Sequence, residues 1–157
     1  MPTTDTPTAP LTDPELAAWR GLLEAHALLT RQLDAQMHAE HGLSVSAYEV
    51  LMFLADAPEC RMRMSDIADS VLLSRSGCTR LVDRLADQGY VTRCAASSDG
   101  RGLYAQLTDA GLEKITAARV THREGIRRFF LDHLTATDLI ALGDIWTRFR
   151  AHRDTEP

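Results

Sequence analysis

The 157-residue sequence predicts a mainly α-helical fold with one small β-hairpin. Apolar residues recur at helical spacing over most of the chain, and two short β-like runs, separated by turn-forming residues, follow the fourth helical segment. A chain of this length can bury a substantial core in one domain. We expect a disordered lead-in over residues 1–13 and a single domain over residues 14–157.

The first helix is predicted to run from Pro14 to about His41. Asp13 followed by proline is typical of a helix start, and Gly42 fits the position that ends the helix. Apolar residues recur every three or four positions, which predicts one long amphipathic helix. These residues are Leu16, Trp19, Leu23, Ala27, Leu33 and Met37.

A second helix is predicted to start at Ser44 or Ser46, since Ser46 with Glu49 three residues later matches a capping box. Pro58 ends it, and the alternating residues 61–64 predict a short strand. Ser65 is predicted to cap the third helix. The inward residues of this third helix are expected to be Ile67, Ala68, Val71 and Leu72.

Ser74 is predicted to cap the fourth helix, and Gly89 to end it. Its apolar residues follow the i, i+3, i+4, i+7 spacing; they are Cys78, Leu81, Val82 and Leu85. Two β-like runs follow, residues 90–95 and 103–107, with strong turn chemistry over residues 97–100. Two helices joined by a tight break, followed by a hairpin, indicate a winged helix-turn-helix.

Two more helices complete the chain, one from Thr108 and Asp109 to about His133 and one capped by Thr135. The first helix and the last two carry more apolar surface than one small core can use, which predicts a homodimer. The predicted fold is therefore a winged helix-turn-helix core, residues 43–108, flanked by long dimerisation helices. These occupy residues 14–42 and 109–153.

Charge is unevenly distributed along the chain, whose formal net charge is −5 at pH 7. Residues 1–60 carry two Arg against nine acidic residues, and residues 102–157 carry equal numbers of each sign. Residues 61–101 carry seven Arg against five Asp, so the helix-turn-helix and its wing are positive within an acidic chain. This distribution favours contact with nucleic-acid phosphates.

The fourth helix has a polar face opposite its apolar one, as a helix that enters the DNA major groove requires. Arg80 and Arg84 suit guanine or phosphate, whereas Asp83 suits cytosine or restrains one of these arginines. The helix start also favours phosphate. The predicted DNA-binding residues of this helix are Ser74, Arg75, Ser76, Thr79, Arg80, Asp83 and Arg84.

The hairpin contributes three further predicted DNA-binding residues. Arg101 is placed to reach the adjacent minor groove, whose negative potential attracts arginine, and Asp99 to restrain it by ion pairing. Arg93, at the base of the wing, is a predicted phosphate contact. Double-stranded DNA is therefore the expected partner; the alternative, suggested by the acidic total charge, is a winged-helix module that binds protein and not DNA.

Other functional classes find little support in the sequence. There is no Gly-rich phosphate loop, nucleophile elbow or metal-ligand cluster, so we predict no enzyme, no cofactor and no metal site. The chain shows no signal peptide or membrane-length apolar run and is expected in the cytoplasm. All three cysteines, Cys60, Cys78 and Cys94, are expected to be free thiols; Cys78, between two arginines, is the one candidate for redox sensing.

The combined motif resembles the MarR family of transcriptional regulators over roughly residues 15–150. The resemblance implies a homodimer whose first and last two helices form the dimer region. It also implies that the family's DNA-reading positions correspond here to residues Ser74 to Arg84, Asp99 and Arg101. The segments that carry it are residues 42–44, 48–51, 73–85, 89–93, 99–101 and 107–111.

Members of that family usually repress nearby genes from pseudo-palindromic operators, and release them when a small molecule or an oxidant acts. The resemblance implies an effector cleft between the dimerisation helices and the DNA-binding core. The residues expected to border such a cleft are Trp19, His26, Tyr48 and Met52. Packing in the core or in an interface is the alternative role for each of them.

Overall fold

The computed structural model describes residues 9–71, 73–95 and 103–153, and these form six α-helices and a three-stranded sheet. The helices are α1 (Asp13–His41), α2 (Val45–Asp56), α3 (Met64–Ser70), α4 (Arg75–Asp87), α5 (Asp109–Phe129) and α6 (Ala136–Arg153). The strands are β1 (Arg61–Arg63), β2 (Val91–Ala95) and β3 (Leu103–Leu107). The predicted fold class is confirmed; Leu72, Asp99 and Arg101 lie outside the described residues.

The long first helix has the predicted ends. Asp13 and Pro14 lie in its first turn, and Gly42 closes it at φ +64°, a left-handed conformation that glycine adopts without steric cost. The Gly42 N–H donates to the carbonyl of His38 at 2.9 Å. The chain can therefore reverse at once into α2.

Of the two serines predicted as alternative caps of α2, Ser44 is the cap, and it accepts from the Ala47 N–H at 3.1 Å. The alternative, Ser46 with its capping box, is wrong because α2 already begins at Val45, which leaves Ser46 inside the helix. Asp34 of α1 accepts from the Val45 N–H at 2.9 Å and fixes that start. Ser65 also lies inside its helix, since α3 begins at Met64, directly after β1.

The sheet is antiparallel in the order β1-β3-β2, so the central strand joins the hairpin to the strand that precedes the helix-turn-helix. Tyr104 of β3 lies opposite Arg63 on one side and Cys94 on the other. Gln106 lies two residues further along β3, opposite Arg61 and Thr92. These cross-strand neighbours point to one face of the sheet, since side chains alternate along a strand.

The hydrophobic core lies where α2, α3, α4 and the inner face of the sheet meet. Its largest fully buried side chains are Met37, Leu43, Val50, Leu51, Leu54, Ile67, Cys78, Val82, Leu85, Val91 and Ile115. Because α1 and α5 contribute only a few members, much of the apolar surface of the flanking helices remains uncovered. Trp19 is 54% exposed and Phe149 is 64% exposed.

Helix α5 ends earlier than predicted, at Phe129, and a single 3₁₀ turn over Leu131–His133 leads to α6. Leu112 and Val120 of α5 are exposed. Among the described residues, no helix has both the length and the apolar character needed to cross a membrane.

Candidate nucleic-acid interface

Helix α4 presents a polar face to solvent and an apolar face to the core. Ser74 caps it by accepting from the Gly77 N–H at 3.1 Å, as the sequence predicts. Its apolar residues, Cys78, Leu81, Val82 and Leu85, are all buried. Its predicted DNA-binding residues, Ser74, Arg75, Ser76, Thr79, Arg80, Asp83 and Arg84, are all exposed. The structure thus brings seven of the ten predicted residues together on one helix.

An ion pair joins this helix to the wing. Arg93 of β2 contacts the carboxylate of Asp83 at 2.8 Å, and its Nη2 also donates to the backbone carbonyl of Thr79 at 3.5 Å. Asp83 thus pairs with Arg93, whereas its predicted roles were to restrain Arg80 or Arg84 or to accept from cytosine. Arg80 and Arg84 have no carboxylate partner among the described residues, which leaves both guanidinium groups available to an incoming anion.

Two adjoining grooves separate α4 from the start of α2. The larger, about 610 Å³, has Arg80, Arg84 and Asp83 on its α4 wall and Ser44 and Ser46 on its α2 wall. The smaller, about 250 Å³, continues along Arg84 to His38 and Gln88. The sequence did not identify Ser44, Ser46, His38 or Gln88, because nothing local indicates that the α1–α2 turn lies beside α4.

The join between the wing and α5 is held by backbone and hydroxyl groups. Thr108, the N-cap of α5, donates its hydroxyl to the Gly89 carbonyl at 2.7 Å and its N–H to the Tyr90 carbonyl at 3.0 Å. The same hydroxyl accepts from the Gly111 N–H at 3.0 Å. These hydrogen bonds join the residues that follow α4 to the start of α5. Asp99 and Arg101, which come between β2 and β3 in the sequence, lie outside the described residues.

The four residues expected to border an effector cleft occupy different surroundings. Tyr48 is 4% exposed and stacks on His122, with ring centroids 4.3 Å apart. Met52 is partly buried against the core, and His26 is exposed on α1. Trp19 lines an apolar groove of about 530 Å³ between α1 and α6, which contains none of the other three.

The thiol of Cys78 is 1% exposed, and its Sγ lies 3.8 Å from the carbonyl oxygen of Met64. Burial raises the pKa of Cys78, and the cation of Arg93 lowers it to a smaller extent. Because the effect of burial is the larger one, the pKa of Cys78 is raised and the thiol stays neutral, which makes it a poor nucleophile. All three cysteines are free, and no group of three or more His, Cys, Asp or Glu in the described ranges is placed to hold a metal ion.

Comparisons with known proteins agree with this geometry. A family model described as MarR family matches residues 41–102. The transcriptional repressor YetL of Bacillus subtilis is 27% identical over 119 residues, which cover 74% of this chain and 71% of that protein.

Two solved structures from Streptomyces coelicolor are more similar. AbsC, a MarR family transcriptional regulator, is 36% identical with a TM-score of 0.86, covering 95% of this chain and 100% of that one. Sco3205, another MarR family regulator, solved in complex with DNA, is 35% identical with a TM-score of 0.84, and the match covers 94% of each chain. These relatives are transcriptional regulators, in agreement with the prediction that the chain is not an enzyme.

Proposed function

Because this chain belongs to the MarR family of transcriptional regulators, we propose that it is a homodimeric repressor that binds a pseudo-palindromic operator and is released by a small molecule. The exposed polar face of α4 carries the proposal. Its residues alternate with buried ones at helical spacing, so the helix presents its hydrogen-bonding groups to a groove while its other side stays in the core.

Arg80 and Arg84 are the proposed base or phosphate contacts. Each arginine in a base contact is worth about 1–3 kcal/mol of discrimination, whereas one on a phosphate weakens binding equally on all sequences. Arg80→Ala and Arg84→Ala separate the two roles. The measurement is fluorescence anisotropy on a duplex selected by the wild-type protein from a random library and on its scrambled counterpart.

Lys114→Ala serves as the matched control for these variants. It removes one positive charge from α5, where the ammonium lies 5.5 Å from the centroid of the Tyr90 ring and off the α4 face. We expect little change in affinity for either duplex. If the wild-type protein binds no duplex at any salt concentration, the DNA-binding proposal fails and the protein-interaction module replaces it.

The dimer is supported by the apolar groove between α1 and α6. Its lining includes Trp19, Leu22, Ile145, Trp146 and Phe149. An exposed apolar surface of this kind is uncommon on a monomer. A second copy that covers it would place two α4 helices on one side of a duplex, with half-sites about 10 bp apart.

Phe149→Glu tests this surface, because Phe149 is largely exposed in the single chain and its replacement removes no packing from the core. Light scattering after gel filtration should change from a dimer to a monomer, and operator affinity should fall with it. A variant that remains dimeric with unchanged affinity would contradict the proposed dimer face.

A small molecule is the proposed signal, and not an oxidant acting on Cys78, because that thiol is buried and held neutral. The groove beside Trp19 is not available to such an effector in the proposed dimer, because the second copy covers it. A screen of aromatic acids and phenols for loss of anisotropy on the selected duplex tests the release. A reporter gene placed behind the selected duplex distinguishes repression from activation.

A further inference from the structure

The outer face of the sheet carries two arginines arranged around one tyrosine. The guanidinium carbon of Arg61 lies 4.2 Å from the ring centroid of Tyr104, and that of Arg63 lies 5.4 Å from it. The Arg63 Nε–H also donates to the Tyr104 hydroxyl at 2.8 Å. Since Arg61 and Arg63 are two residues apart on β1, the strand period places both on the same face. The ring limits the movement of both side chains.

These two cations have no counter-charge among the described residues. The two ion pairs found there join other residues, and the Arg61 Nε is buried without a hydrogen-bond partner. Asp66, three residues beyond Arg63, accepts from the hydroxyl of Ser65. Two positive charges fixed next to each other without an acid form a site that an anion would neutralise.

The position of this pair relates it to the wing. Arg63 lies opposite Tyr104, one residue from the point at which β3 begins at Leu103. The pair therefore lies beside the end of the sheet at which β2 ends at Ala95 and β3 begins at Leu103. In the sequence, residues 96–102 between these two strands contain one cation, Arg101, and one acid, Asp99, so their formal charge is zero. Strand β1 thus adds positive charge beside a hairpin that carries little of its own.

We propose that Arg61 and Arg63 form a second DNA contact, which binds the phosphodiester backbone beside the wing, outside the groove that α4 enters. This inference rests on the proposed function, since it assumes that α4 and the wing face one duplex. The occupant is a phosphate-bearing strand because guanidinium groups match phosphate oxygens in geometry and charge. It contributes affinity and footprint length but no sequence preference.

Arg61→Gln/Arg63→Gln removes the two charges, and Lys114→Gln/Arg128→Gln is the matched control. Both control residues are also cations that lie over an aromatic ring, 5.5 Å from Tyr90 and 5.3 Å from Phe129. The probes are the 30-bp duplex selected by the wild-type protein and its scrambled counterpart. The readouts are the slope of log affinity against log salt and the hydroxyl-radical footprint.

We expect the slope to decrease by about 1.8 for each bound protomer, or about 30-fold in affinity at 0.15 M salt, because each phosphate contact contributes about 0.9 to the slope. The loss should be the same on both duplexes, and the footprint should shorten at its outer edges. The control should change neither readout. Arg61→Lys/Arg63→Lys, which keeps the charges, should retain most of the slope.

Three results would overturn the inference. The first is a double variant that matches the control in slope and footprint. The second is a loss of affinity with an unchanged slope, which would mean that the arginines only support the fold. The third is a wild-type protein that binds no duplex, which would reject the proposed function as well. In the first two cases the wild-type protein still binds DNA, so the proposed function stands.

Discussion

Gly111→Ala is expected to destabilise the protein by about 2 kcal/mol. A Cβ atom at Gly111 would lie 2.1 Å from the carbonyl oxygen of Tyr90 and 2.7 Å from Cδ1 of Leu107. The Tyr90 carbonyl cannot move away freely, because it accepts from the N–H of Thr108. The hydroxyl of Thr108 is itself held, since it donates to the Gly89 carbonyl and accepts from the Gly111 N–H. Forcing a methyl group into a packed site costs about 1–3 kcal/mol, and a backbone oxygen at this distance places the cost at the upper end.

Alanine has the better helix propensity by about 0.8–1 kcal/mol, which offsets part of that cost. For a chain of this size, 1 kcal/mol corresponds to about 2–4 °C in Tm, so we expect Gly111→Ala to lower Tm by roughly 4–8 °C. Differential scanning calorimetry at fixed protein concentration measures this.

Gly143→Ala is the control, because Gly143 is also helical and a methyl group added there would meet no atom within 4 Å. Helix propensity alone then acts, and Tm should stay the same or rise slightly. If Gly111→Ala behaves like Gly143→Ala, the close approach of α5 to the Tyr90 carbonyl is not a constraint on this fold.

Three further predictions concern other parts of the molecule. Urea unfolding of Asp83→Asn, Arg93→Gln and the double variant measures the coupling free energy between Asp83 and Arg93. We expect about 0.2–1 kcal/mol, since both side chains are partly solvated. No coupling would mean that the pair does not hold the wing. Cys78 should react with a thiol reagent far more slowly than Cys94, because it is buried and its pKa is raised; mass spectrometry of the labelled peptides measures both rates, and equal rates would contradict this burial. Burial lowers the pKa of His122 from its ordinary value of 6.5, so the unfolded chain takes up a proton first and stability should fall as the pH drops below about 6.5. His122→Gln should reduce this loss, and an unchanged pH dependence would exclude His122 as its source.

The features predicted correctly from sequence depend on neighbouring residues. The cap at Ser74 and the two faces of α4 follow from residues within one or two helical turns, so the sequence alone contains them. The same holds for the turn at Gly42. Strand β1 was also predicted. The alternation of side chains along it places Arg61 and Arg63 on one face, which was not predicted from the sequence.

The contacts that the sequence could not predict join distant segments. The pairing of Asp83 with Arg93 depends on how β2 packs against α4, whereas the sequence predicted only Arg80 or Arg84 as the partner of Asp83. The choice of Ser44 over Ser46 depends on Asp34, which lies in the preceding helix and takes the first free N–H of α2. Local capping rules fit both serines.

Another such contact joins the two long helices α1 and α5. Thr121 of α5 is 6% exposed and donates its hydroxyl to the carboxylate of Glu40 at 3.0 Å. A hydroxyl has one proton, so the Nε2 of His41, 2.7 Å away, must be the donor to the same oxygen. Gln36 donates to the other oxygen of Glu40 at 3.0 Å, and these two hydrogen bonds lower the pKa of that carboxyl.

This arrangement allows α1 and α5 only one register. Sliding α1 by a single turn, about 5.4 Å, would separate Glu40 and His41 from Thr121 together and leave a buried hydroxyl without a partner. A displacement at one end of α1 and α5 therefore moves both helices together, without a shift of one along the other. In a dimer, the distance between the two α4 helices would then depend on rotation of whole protomers, and a signal that spreads the operator-binding surfaces would have to act on that angle.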